Sequence, residues 1–269
     1  MLDLEALAEI LVRDREAFSA AVRSFEIGGR RFAGGPGPEL MGVINLSADS
    51  WYRESVCLSA GQAVRRGLRL VAAGAAIVDV GAESTLPHAE ERDAAGQRAA
   101  LVPVIRELAG AGVIVSAETY RSEVARACLE AGARVINITG TREAAEIFRV
   151  VADHDAAAIV CFVQGENVRR VGDLDLSGDH GAALKEYFGP LVESAEAAGV
   201  RRLWLDPGMG FYYGNLKDSA RRVRYQMRTF LGTFRLRELG WPTCHALPHA
   251  FEYFEDEVQN NPSDVDCLY

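Results

Sequence analysis

Several features that define other protein classes are missing from this chain of 269 residues. No apolar run approaches the ~20 residues that a membrane-spanning helix requires, so we expect no membrane partner. No block of basic residues interrupts the excess of 38 acidic over 29 basic side chains, which argues against nucleic-acid binding. The first residues mix acidic with apolar side chains, unlike a signal peptide. We therefore expect a cytoplasmic protein that acts on small molecules.

Cysteine is also scarce and poorly arranged for structural chemistry. The five cysteines are odd in number, far apart and without a C-x-x-C pair. This excludes a disulfide framework and a zinc ribbon as the main source of stability. We interpret the cysteines as small core residues.

The N-terminal part differs in pattern from the rest of the chain. Residues 4–25 carry apolar side chains at helical spacing, and two short apolar runs flank Gly28 and Gly29, as in a hairpin. A loop rich in glycine and proline follows at residues 34–38. We therefore assign residues 1–38 to an N-terminal helix and hairpin cap and residues 39–269 to a second, larger domain.

The larger domain repeats one pattern about every 33 residues: a run rich in β-branched residues, a turn and an amphipathic helix. The pattern predicts an α/β fold with buried parallel strands. Glycines at the expected helix C-caps and a capping box at Ser59 and Gln62 agree with it. Seven strand-like runs are countable: residues 40–46, 75–81, 113–119, 133–139, 156–163, 201–208 and 241–247.

Two observations favour a closed barrel over an open sheet. No G-x-G-x-x-G follows the first strand, and polar residues stand near the carboxyl ends of several strands. In a (β/α)8 barrel these ends meet at one mouth. We therefore predict a TIM-barrel-like fold whose eighth strand is missing. The polar strand-end residues are Asn45, Asp79, Glu83, Glu118, Asn137, Gln164 and Asp206.

Three of these residues form the strongest candidate site. Taken singly, Glu118, Asn137 and Asp206 are equally well explained as a helix cap and turn residues. Taken together, two carboxylates and an amide supply the acceptors that a flat, donor-rich heterocycle needs. We therefore predict a pocket for such a ring at the barrel mouth.

Five ordered motifs carry a family resemblance. They are MGVINLSADSW at 41–51, DVGAEST at 79–85, SAETY at 116–120, INITG at 136–140 and LDPGMGF at 205–211. In this order they resemble the motifs of the dihydropteroate synthases, whose fold is a pterin-binding barrel.

The resemblance implies a function and a set of roles. Family members condense a reduced pterin, carried as its pyrophosphate ester, with p-aminobenzoate or a similar aromatic amine. Glu118, Asn137 and Asp206 would hold the pterin ring, and carboxylates would stabilise the cation formed when pyrophosphate leaves. Asn45 would face the pyrophosphate and a magnesium ion.

The remaining expected site residues lie on loops. Asp49, together with Glu118 and Asp206, is expected to be catalytic, and Asp49 and Thr85 would lie on two loops above the site. Gln164 and His249 are expected to contact substrate, with His249 replacing a lost cation near the phosphates.

The departures from the family pattern concern its cations. Leu86 follows Thr85 where the family has arginine, residues 243–249 lack the family's lysine, and the closing Arg-x-His has no counterpart. Three functions stay open: a synthase, a non-synthase pterin-binding protein such as a methyl-transfer domain or regulatory paralogue, and a nonfunctional truncated copy. An unclosed barrel also predicts a homodimer through the late helices, with residues 250–258 partly at the interface.

Overall fold

The computed structural model describes residues 4–33, 37–50, 53–84, 91–211, 213–216 and 218–246. Its first elements form the cap. Two short helices replace the single predicted one, because the chain breaks at Asp14 and is irregular from residue 20 onward. A two-stranded antiparallel hairpin follows. These elements are α1 (Leu4–Arg13), α2 (Arg15–Ser19), β1 (Phe25–Ile27) and β2 (Arg30–Phe32).

The hairpin packs under the amino ends of the following sheet. Phe25 and Phe32 meet the indole of Trp204 edge-on, with ring centroids 4.7 and 5.3 Å apart. Arg202, just before that strand, donates from Nε to the Glu26 carbonyl at 2.8 Å. The cap therefore closes the end of the sheet opposite to the predicted site.

The six parallel strands of the main sheet match the first six predicted runs. The strands are β3 (Leu40–Asn45), β4 (Ala75–Gly81), β5 (Val115–Thr119), β6 (Val135–Ile138), β7 (Ala157–Cys161) and β8 (Leu203–Asp206). They lie side by side in chain order. All residues of β4, β6 and β7 are buried, because helices cover one face and the curled sheet encloses the other.

Helices connect the strands in the expected alternation. They are α3 (Ala60–Ala72), α4 (Ala94–Gly110), α5 (Ser122–Glu130), α6 (Ala144–Asp153), α7 (His180–Ala197) and α8 (Ser219–Gly232), followed by a 3-10 helix (Thr233–Leu239). The predicted capping box is realised in part: Gln62 donates its backbone N–H to Ser59 Oγ at 3.3 Å, while its side chain accepts from Leu58 N–H. The fold is thus a mixed α/β, TIM-barrel-like half-barrel.

The seventh predicted strand is reduced to a single bridge. Leu205 donates its N–H to the Pro242 carbonyl, and Cys244 donates to the Leu205 carbonyl, each at 3.0 Å. Residues 242–244 therefore extend the sheet beside β8 in parallel direction. Over the described ranges, β3 forms the other edge of the sheet. No helix in those ranges has the length and apolarity needed to cross a membrane.

Candidate functional site

The predicted ring-binding residues converge at the carboxyl ends of the central strands. Glu118 on β5 lies beside Asn137 on β6 in register. Asn137 donates from Nδ2 to Asp79 Oδ2 at 3.1 Å and accepts from the Cys161 thiol at 3.2 Å. These two contacts orient the amide of Asn137, so a donor and an acceptor are held in fixed positions in the site.

Glu118 reaches the site because Gly81 leaves room for it. A Cβ atom at Gly81 would lie 2.6 Å from Glu118 Oε2 and 3.3 Å from Asn45 Oδ1. Such contacts are too short for any other residue without displacement. The glycine of the DVGAEST motif therefore lets Glu118 and Asn45 approach the same point of the sheet.

Asp206 is fixed by the turn that follows β8. Its Oδ1 accepts the Gly208 backbone N–H at 2.7 Å. Gly208 has a φ of +71°, and a Cβ there would lie 2.3 Å from the Phe162 carbonyl oxygen. Only glycine satisfies both conditions. The turn explanation for Asp206 is thus correct, and the same turn holds the carboxyl at the site.

Burial and mutual repulsion raise the pKa values of the carboxyls in the site. Burial raises the pKa of Glu118 to about 8, with further contributions from Asp79 and Glu83. Burial and Asp79 raise the pKa of Asp206 to about 7, against the opposing hydrogen bond from Gly208. Burial also raises the pKa of Asp79. Near neutral pH this group of carboxyls holds at least one proton, so it can donate as well as accept hydrogen bonds.

Two thiols flank Asp206. Cys161 pairs with Asp206 in register, and Cys244 follows the bridge on the other side of β8. Burial and the negative charge of Asp206 raise the pKa of both thiols well above its usual value. Both therefore stay protonated and form an uncharged wall. The described part of the chain contains no group of three or more His, Cys, Asp or Glu side chains suited to a metal.

A second polar network lies at the same mouth, around Glu83. Its Oε2 accepts from the Tyr120 hydroxyl at 2.6 Å, and its Oε1 accepts from the Arg92 backbone N–H at 2.9 Å. The guanidinium of Arg169 lies 3.7 Å from Glu83 Oε1 and donates to the Ser84 carbonyl at 2.6 Å. Because the Glu83 and Arg169 side chains are only 8% exposed, this ion pair is buried.

This network also connects the loops above the site. Ser84 donates from Oγ to the Asp49 carbonyl at 3.1 Å, and Arg92 donates to the Leu46 carbonyl at 3.4 Å. The loop after β3, the start of the loop after β4 and the long loop after β7 are therefore joined through Ser84 and Arg169. Asp49 itself is exposed on the first of these loops.

The other predicted residues are distributed as follows. Asn45 lies at the end of β3 and donates to Ser55 Oγ at 2.6 Å. Gln164 does not join the cluster: it is exposed and accepts from the Asp175 backbone N–H at 2.9 Å, within its own loop. Thr85 and His249 lie outside the described residues.

Sequence reasoning missed the role of Arg169. It stands 11 residues before α7, in a loop without periodicity, and no motif marks it. Asp79 and Glu83 were recognised as polar strand-end residues but received no role. Their position in the DVGAEST motif was the available signal. Both turn out to orient other groups: Asp79 holds Asn137, and Glu83 holds Tyr120 and Arg169.

Comparison with known proteins identifies the family. The family model described as "Pterin binding enzyme" matches residues 41–241. The class of protein is therefore a pterin-binding enzyme. The dihydropteroate synthase of Mycobacterium leprae is 37% identical over 176 residues, which cover 64% of this chain and 62% of that protein. The dihydropteroate synthase of Streptococcus pyogenes serotype M6 is 30% identical over 212 residues, 77% of this chain and 74% of that protein.

A solved structure gives the same result. The dihydropteroate synthase of Xanthomonas albilineans with 4-aminobenzoic acid superposes with a TM-score of 0.66 at 29% identity, covering 84% of this chain and 78% of that one. This chain belongs to the dihydropteroate synthase family. Its match spans somewhat less than two thirds of the length of the M. leprae relative.

Proposed function

We propose that this protein is a dihydropteroate-synthase-type transferase of folate biosynthesis, which joins a reduced pterin to p-aminobenzoate. The observation that carries the proposal is the cluster of Glu118, Asn137 and Asp206 at one mouth, in a chain of this family. Its acceptors match the amino and ring N–H donors of a pterin, and its fixed amide supplies a donor and an acceptor.

The chemistry requires little from the protein beyond binding and charge. The bond between the pterin methylene carbon and the pyrophosphate oxygen breaks, and the amine nitrogen forms a new bond to that carbon and loses a proton. Glu118 and Asp206 accept from the ring when ionised, and their negative charge stabilises the positive charge that develops beside them. Asp49, on a loop that Ser84 and Arg169 hold in place, would act near the reacting carbon.

Magnesium fits this arrangement as a partner of the substrate. Asn45 presents an oxygen against Gly81 while its amide nitrogen bonds Ser55. Magnesium prefers oxygen ligands and is usually held by few protein groups together with phosphates. When bound, it would neutralise charge on the departing pyrophosphate. We propose Asn45 as its protein ligand.

Two further properties belong to this proposal: a cytoplasmic location and a homodimer. The four described cysteines are unpaired, as expected in the reducing cytoplasm. Dimerisation through α7 and α8 would cover the sheet edge on the β8 side, as the open parallel sheet requires. Sedimentation at micromolar concentration should then show a dimer, and a monodisperse monomer would refute the dimer.

The Asp206→Ala variant tests the pocket. Removing this carboxylate leaves pterin donors unpaired in a desolvated site, at ~1 to 3 kcal/mol each, so pterin affinity should fall at least tenfold. Titration calorimetry measures the affinity, and chromatography detects the condensed product in the wild type. Asp153→Ala, at the exposed end of α6, is the matched control.

The outcomes separate the candidate functions. Unchanged affinity in a folded Asp206→Ala protein would place the ligand elsewhere. Normal pterin binding without any product would favour the non-synthase pterin-binding protein. Product that depends on Asp206 but not on Asp153 supports the synthase.

A further inference from the structure

An open groove lies on the outside of the molecule, along the edge of β3. Its volume is about 660 Å³, and its walls come from α3 and from the segment that precedes it. Arg65, Arg66 and Arg69 line one side, and Val56, Leu58 and Leu70 supply apolar surface. The side chain of Leu58 is 72% exposed, which is unusual for a large apolar residue.

The groove is strongly positive for a protein with a net charge of −9. Helix α3 carries these three arginines and no acidic residue. None of the three is within ion-pair distance of a carboxylate among the residues that the structure describes. Concentrated charge of one sign beside apolar surface indicates a partner that is both acidic and apolar.

The groove also follows an incomplete edge of the sheet. β3 pairs with β4 on one side, and on its other side the described ranges supply only a single parallel bridge, between Asn45 and Val56. On its other side, Arg66 donates from Nε to the Val43 carbonyl at 3.4 Å. Soluble proteins cover such edges, because exposed strand backbone pairs readily with other chains.

The remaining sequence contains a matching segment. Residues 247–269 carry six acidic side chains and no lysine or arginine, so they hold six of the nine net negative charges. In the stretch AFEYFEDEV at 250–258, four acidic residues are interspersed with apolar and aromatic ones. Both properties of the groove, positive charge and apolar surface, therefore have a counterpart in this stretch.

Connectivity places this segment within reach. Residues 242–244 run beside β8 at the opposite edge of the open sheet. Each extended residue advances ~3.3 Å and neighbouring strands lie ~4.8 Å apart, so the 12 residues from 247 to 258 extend over ~40 Å. That length is several times the spacing between neighbouring strands.

We propose that residues 250–258 dock into the arginine groove of α3 in the same chain and cover the open edge of β3. The acidic side chains pair with Arg65, Arg66 and Arg69, and the aromatic residues cover Val56, Leu58 and Leu70. This gives residues 250–258 a different place from the dimer interface expected from the sequence. It leaves the proposed dimer contact to α7 and α8, beside the other edge.

Hydrogen exchange of the full chain tests the proposal. The backbone amides of residues 250–258 should exchange at least tenfold more slowly than an unstructured peptide. Arg65→Glu/Arg69→Glu should remove this protection. Arg126→Glu/Arg149→Glu, which changes two exposed arginines of α5 and α6, is the matched control and should retain it.

Two further variants distinguish a loss of docking from misfolding of α3. Glu255→Arg/Glu257→Arg changes only the segment and should also lose protection. Combined with Arg65→Glu/Arg69→Glu it should regain protection, because the charges are then exchanged. General destabilisation cannot explain such a recovery. If each pair of substitutions only destabilised the protein, their effects would add, and the combined variant would lose more protection than either pair alone.

Three results would overturn the proposal. The first is an unprotected segment in the wild type. The second is protection that survives in both charge-reversed pairs. The third is protection that disappears on hundredfold dilution, because the segment would then come from a second copy of the chain.

Discussion

At the scale of single residues, the site is defined by carboxyls that cannot all be charged together. Glu118, Asp206 and Asp79 share one mouth, and burial raises the pKa of each. A ligand that supplies N–H donors stabilises the ionised forms. Without such a ligand, a buried carboxylate has too few hydrogen-bond donors, and its charged form is unfavourable. We therefore interpret the raised pKa values as a property of a pocket whose carboxylates are arranged to bind N–H donors.

Glu118 provides a test of this interpretation through stability. Its pKa is raised from 4.5 to about 8, so between these values the folded protein binds more protons than the unfolded chain. The free energy of unfolding should therefore fall as pH rises through this window. Glu118→Gln removes the ionisation and should be more stable than the wild type at pH 8, by about 1–3 kcal/mol after allowance for partial exposure.

Denaturant unfolding at pH 5 and pH 8 measures the effect. The advantage of Glu118→Gln should shrink toward zero at pH 5, where the wild-type carboxyl is already protonated. Glu107→Gln, on the exposed face of α4, is the control and should follow the wild-type profile. A Glu118→Gln advantage that is equal at both pH values would show that Glu118 does not titrate in this window.

How much of the site the sequence could predict differs from residue to residue. Asn45, Glu118, Asn137 and Asp206 lie at or one residue before the ends of their strands and belong to motifs, so their convergence follows from parallel topology alone. Arg169 has no such signal, because its position depends on the path of the loop after β7. Gln164 was placed in the site by its position just after that strand, but the chain turns away there and the side chain bonds Asp175.

At the scale of elements, the repeated sequence pattern predicted the strands and helices whose formation depends on local sequence. Six of seven strands and the helices between them appear where apolar periodicity placed them. The five glycines expected at helix C-caps, Gly74, Gly112, Gly132, Gly199 and Gly240, all have positive φ values. The break at Asp14 and the reduction of the seventh strand to one bridge were not predictable, since both depend on tertiary packing.

The long loop between β7 and α7 yields a prediction at this scale. Its Arg169 is the buried partner of Glu83 and holds the Ser84 carbonyl. Arg169→Gln leaves the carboxylate of Glu83 buried without its cation, so we expect a loss of about 2–4 kcal/mol in the free energy of unfolding. Arg170→Gln removes the exposed neighbour and should cost less than about 0.5 kcal/mol.

Denaturant unfolding of these variants gives the comparison. Adding Glu83→Gln to Arg169→Gln should recover part of the loss, because the unpaired charge is then removed. Equal losses for Arg169→Gln and Arg170→Gln would mean that the buried pair does not hold the loops together.

At the scale of the whole molecule, the two sides of the mouth differ. The ring-binding side keeps Asn137 and Asp206, and it has Glu118 where the family resemblance implies an aspartate. The anion-binding side lacks the arginine after Thr85 and the lysine near residue 243. Arg169 brings a guanidinium to this side, but Glu83 lies within ion-pair distance and compensates its charge. We expect the remaining attraction for phosphate to come from Arg92, from the magnesium ion proposed at Asn45 and from His249.

This asymmetry predicts how the protein distinguishes the pterin pyrophosphate ester from the pterin alcohol. Charge-assisted hydrogen bonds are worth ~1.5 to 3 kcal/mol each, so two lost cations weaken pyrophosphate binding by roughly 3 to 6 kcal/mol. Each 1.4 kcal/mol is about tenfold in affinity. We therefore expect the ester to bind less than about tenfold tighter than the alcohol in calorimetric titrations with magnesium, and the condensation to be slow.

Asp206→Ala should weaken the binding of both ligands equally, because it acts on the ring that they share. An ester that binds a thousandfold tighter, with rapid turnover, would mean that Arg92, Arg169 and His249 have replaced the missing cations.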